Sequence, residues 1–120
     1  MKYTLNFPIF YKWYEKKFWK QLWRIATGRI VREETFSLDT NIAFFLVPRL
    51  KLFKKINSSH AFGASPNGLS MKQWNAILDK IILAFELQTK ECAYCMTKKQ
   101  SEQQAEGLRL FAKWYGHLWW

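Results

Sequence analysis

At 120 residues with a net charge of +10, the chain is long enough for one domain with its own core and needs no metal or disulfide to fold. Aromatic residues make up 18% of it, and with that charge they direct attention to anionic partners carrying flat rings or apolar parts: nucleotides, nucleic acid or an anionic membrane surface. No uncharged apolar run is long enough to span a bilayer, and the N-terminal residues lack the apolar stretch and small-residue cleavage site of a signal peptide, so a cytosolic protein without a transmembrane segment is expected.

The first predicted helix covers about residues 9–27, with Pro8 at its start and Gly28 as its stop. Tyr11, Tyr14, Phe18, Leu22 and Ile25 recur at helical spacing and are the expected core stripe. Opposite them fall Trp13, Lys17, Lys20 and Arg24, a first candidate ligand-binding cluster, because cations hold phosphates while rings stack on bases. Trp19 and Trp23 line a flank with Lys12 and Lys16. They either join that surface or pack on a neighbouring helix.

The most apolar run, 35–55, predicts a second helix over 38–55 with Ser37 as N-cap and Asp39 in the first turn. Leu38, Ile42, Phe45, Leu46 and Phe53 are its expected core residues, and Pro48 should kink or restart it. Beyond the proline, Arg49, Lys51, Lys54 and Lys55 form the second and favoured ligand-binding cluster. A kink can open a concavity, and the polar loop after Ile56, which carries His60 and Ser65-Pro66-Asn67-Gly68, could close over it.

Ser70 and Gln73 fit a capping box and open a third helix over 71–92, whose stripe is Trp74, Ile77, Leu78, Ile81, Ile82 and Phe85. Asp79 and Glu86 flank that stripe and should pair with cations of another helix, Arg49 for example. Cys92 and Cys95 lack the further ligands of a zinc site and the strand context of a redox pair, and are read as reduced thiols. Ser101 and Gln104 suggest a second capping box and a fourth helix over 101–118, with Ala105, Leu108, Phe111, Ala112, Tyr115 and Leu118 inward. Trp119 and Trp120 then dock on the core or a partner, or stack on a ligand.

These elements make an all-α fold, a single compact domain of four main helices with the second kinked at its proline. No glycine-rich phosphate loop, catalytic triad or metal spacing is present in the sequence, so a non-enzymatic protein with no cofactor and no metal is expected. Ser37-Leu38-Asp39, Pro48-Arg49-Leu50-Lys51, Ile77-Leu78-Asp79-Lys80, Ala84-Phe85-Glu86, Glu106-Gly107-Leu108 and Leu118-Trp119 resemble a group of small proteins encoded by tailed bacteriophages. The resemblance covers roughly residues 35–119. It implies an accessory protein in the host bacterial cytoplasm and carries over no site residue. On this reading the chain binds an anionic nucleotide-type ligand and sequesters a host immune signal. Its rivals are a DNA- or RNA-binding module, an inhibitor that meets a host protein through exposed aromatics, and attachment to a membrane surface through the first helix. A homo-oligomer is compatible with each.

Overall fold

In the computed structural model, residues 3–4, 7–8, 12–30, 35–59, 65–66, 68–90 and 95–119 are described. The fold is all-α, with four helices: α1 (Lys16–Ala26), α2 (Leu38–Ser59), α3 (Met71–Gln88) and α4 (Lys98–Trp114). A 3-10 turn follows at Tyr115–His117. The two-residue strands β1 (Tyr3–Thr4) and β2 (Phe7–Pro8) pair antiparallel, so Pro8 lies in a strand and not at the start of a helix. Backbone contacts divide the chain into two units, Met1–Phe45 and Leu46–Trp120, with the division inside α2.

In the first unit, α1 starts at Lys16 and not near residue 9, which leaves Trp13 in the turn before it. Its C-terminus is closed as Gly28 suggests. Gly28 has φ +74°, and the Arg29 amide donates to the Arg24 carbonyl at 2.7 Å, which satisfies an orphan carbonyl of the last turn. The expected core stripe is corrected here: Tyr14 is exposed, Phe18 and Leu22 are half-buried, and Gln21 is buried, while the side chain of Ile25 is not among those described. Tyr11 lies outside the described residues.

α2 is one continuous helix with Pro48 inside it, so it does not restart there and it runs on to Ser59. Ser37 accepts the first helical bond through its carbonyl, from the Asn41 amide at 3.1 Å, and has φ +49°. The Asn41 side chain donates to the Phe36 carbonyl at 3.1 Å. The inward face is again not the one with the largest side chains. Asn41, Ala43, Leu50 and Asn57 are buried, whereas Leu38, Ile42, Phe45 and Leu52 are exposed. Leu46 and Phe53 are half-buried.

The second unit is organised by α3. Trp74, Leu78, Ile81, Ile82, Ala84, Phe85 and Leu87 are buried, and Ile77 is half-buried, so this stripe is the core as expected. Ser70 caps it in a reciprocal box with Gln73, with bonds of 2.9 and 3.2 Å. The matching box on α4 is formed by Thr97 and Gln100, with bonds of 3.0 and 3.2 Å, instead of by Ser101 and Gln104, and the helix therefore begins one turn earlier than expected.

α3 and α4 pack along one another, and the face of α4 that does so is displaced from the expected one. Gly107 is buried and Phe111 half-buried, while Ala105, Leu108, Ala112 and Tyr115 are exposed. Gly107 sets the displacement. A Cβ there would lie 2.4 Å from Ala84 Cβ and 2.5 Å from the Lys80 carbonyl oxygen, so the two backbones touch at a spot that admits only hydrogen. Around it Gln104 donates to Gln88 Oε1 at 3.0 Å. Phe85 meets Phe111 edge to face at 5.2 Å, and Trp74 meets Trp114 at 6.0 Å. Lys80 and Glu106 tie the outer side at 2.9 Å.

Candidate functional site

Three of the four cations expected after Pro48 converge. Lys51, Lys54 and Lys55, with Ser58, form one wall of a groove of about 490 Å³ in the second unit, and Asp79, Ile82 and Glu86 of α3 form the other. The helical period produces this wall, since residues 51, 54, 55 and 58 are spaced three and four apart and share a face of α2. Arg49 is half-buried and lies outside the groove.

The groove is not simply basic. Lys51 Nζ lies 2.6 Å from Glu86 Oε1, and Lys54 Nζ donates to Asp79 Oδ1 at 2.5 Å. The expectation that these carboxylates pair across helices thus holds, with Lys51 and Lys54 in the place given to Arg49. Ser58 Oγ donates to the Lys54 carbonyl at 2.6 Å and sits 3.1 Å from Asn75 Oδ1. Asn57, on the adjoining face, is buried and its amide lies 3.9 Å from Met71 Sδ, which holds this end of α2 against α3. Among the described residues, a perturbed acidity is found outside the groove. Glu106 is held below the ordinary carboxylate range by its hydrogen bond from Lys80, then by the charge of that ammonium and of Arg109.

The other candidates are scattered. Lys17, Lys20 and Arg24 are exposed on α1, in the first unit. Trp13, expected beside them on the helix, is exposed in the preceding turn, where its ring meets Tyr14 edge to face at 5.9 Å. Trp119 is exposed and does not line the groove, and Trp120 lies outside the described residues. His60 also lies outside them. Sequence reasoning did not place Ser58 and Ile82 in a site; the period of α2 from Lys51 was the signal for Ser58.

Cys95 is disulfide-bonded, which corrects the reading of reduced thiols. Metal and redox roles are the only alternatives to a free thiol that the sequence brings forward, and a structural disulfide needs neither further ligands nor a strand context. Cys92, the other cysteine of the chain, lies outside the described residues. Among the described residues, no cluster of three or more His, Cys, Asp or Glu could hold a metal ion, and no helix is long and apolar enough to cross a membrane.

No protein-family model, curated protein or solved structure matches the chain.

Proposed function

We propose that the chain is a non-enzymatic binding protein that holds an anionic, nucleotide-type ligand in the groove between α2 and α3. The observation that carries this reading is the convergence of Lys51, Lys54, Lys55 and Ser58 on one wall, facing Asp79, Ile82 and Glu86. Each part of a nucleotide has a matching group. Lysine ammoniums are compact charges suited to phosphate, carboxylates accept hydrogen bonds from ribose hydroxyls and exocyclic amines, and Ile82 offers apolar contact to a base. A volume of about 490 Å³ also falls in the range of small-molecule sites.

The Lys51–Glu86 and Lys54–Asp79 pairs do not oppose this. Both are solvent-exposed to a large degree, and exposed pairs of this kind contribute about 0–1 kcal/mol, so a phosphate dianion can draw the ammoniums away at small cost. In the setting that the bacteriophage resemblance implies, holding such a ligand without turnover would sequester a host signal. Titration calorimetry with nucleoside mono-, di- and triphosphates at low ionic strength tests the reading. Binding with a shallow dependence on salt supports it. A steep slope with preference for oligonucleotides would transfer the chain to the nucleic-acid binders, because release of condensed counterions is the signature of a polymer.

A further inference from the structure

The surface of α1 is not used by the groove, and it has a chemistry of its own. Trp19 and Trp23 are 61% and 69% exposed and lie one turn apart on one strip of the helix. Lys16 and Lys20 adjoin that strip, followed around the helix by Arg24 and Lys17, and all four are exposed. α1 contains no acidic residue, and over residues 12–26 five cations face a single carboxylate, Glu15. The opposite side of α1, with Gln21 buried and Phe18 and Leu22 half-buried, is already covered.

We infer that α1 docks the protein onto an anionic lipid surface, lying in the plane of the interface with Trp19 and Trp23 at headgroup depth and Lys16, Lys20 and Arg24 on lipid phosphates. Indole favours that depth because its ring is apolar and its N–H needs a polar partner. A basic strip beside it complements the negative potential of an anionic leaflet. The same residues could serve a single strand of nucleic acid, and the rest of the first unit decides between them. It leaves Ile30, Leu38 and Ile42 exposed along with Tyr14, Phe36, Phe45 and its indoles; rings serve either partner, but the branched aliphatic side chains have no face on which a base can stack and suit the acyl boundary. Attachment is peripheral, since no described helix can cross a membrane.

Flotation of the full chain with vesicles containing phosphatidylserine, against pure phosphatidylcholine vesicles, tests this. The wild-type protein should float with the anionic vesicles alone. Lys20→Glu with Arg24→Glu should reduce the bound fraction at least about tenfold, and Trp19→Ala with Trp23→Ala should reduce it as well, both with unchanged circular dichroism. Lys51→Glu with Lys55→Glu should float like the wild type, which separates this surface from the groove. The inference is overturned if the wild type stays in the dense fraction, if the two α1 variants float normally, if the groove variant alone is lost, or if the α1 changes abolish oligonucleotide binding by a protein that ignores vesicles.

Discussion

α1 and α3 read alike in the sequence, each a helix with an apolar stripe and charged residues beside it, yet they end in opposite environments. In α3 nearly the whole stripe is buried, from Trp74 to Leu87. In α1 the two indoles point to solvent, and among the described side chains of that helix the buried one is a glutamine, Gln21. Periodicity identifies a face, and only the neighbouring elements decide whether it is covered. The difference assigns the two helices separate work: α3 carries stability, and α1 offers a surface.

The largest expected effect sharpens that contrast. Trp74→Ala should lower the unfolding free energy by about 3–5 kcal/mol, since it removes a fully buried ring that also meets Trp114. Trp19→Ala or Trp23→Ala should change it by less than about 0.5 kcal/mol. Urea unfolding followed by circular dichroism measures both, and equal effects would erase the distinction between the helices.

A smaller loss is expected at the α3–α4 contact. Gly107→Ala should destabilise by about 1–3 kcal/mol, because the methyl group meets backbone that cannot move aside, even though alanine is favoured over glycine in a helix by about 1 kcal/mol. Gly116→Ala is the control, with open space around the added carbon. A stabilised Gly107→Ala protein would mean the helices are further apart than described.

The smallest effect concerns pH. Glu106 is more acidic in the folded protein than an ordinary glutamate, so its bond to Lys80 favours folding above the usual carboxylate range and fades as pH falls through and below it. Glu106→Gln should therefore flatten the acid limb of the stability profile, by lowering stability slightly near neutral pH while leaving it almost unchanged at low pH. A variant that loses as much stability on acidification as the wild type would remove this pair from the account.

Much of the fold was legible in the sequence. The α3 stripe and the Ser70 box were, because large aliphatic residues at a clean period and a reciprocal cap both act locally. The inward faces of α2 and α4 were not. In each, a small or polar residue occupies the contact, Ala43 and Asn57 in α2 and Gly107 in α4, and a count of large apolar residues points to the wrong side. The start of α1 was misjudged through Pro8, which is as acceptable in a short strand as in a first helical turn. At the site, charge and spacing along α2 were enough to group Lys51, Lys54 and Lys55. The carboxylates opposite were seen, but their partners depend on helix packing that spacing along one helix does not encode.

The claim that matters most is that this groove binds a nucleotide-type anion, and thermal melting of wild type and Lys51→Glu/Lys55→Glu, each with and without nucleotide, tests it most directly. Wild-type protein should melt higher with nucleotide present, by the linkage between binding and stability. The variant should melt close to the free wild type and gain nothing. An equal gain in both proteins, or none in the wild type for any nucleotide at low salt, would contradict the assignment.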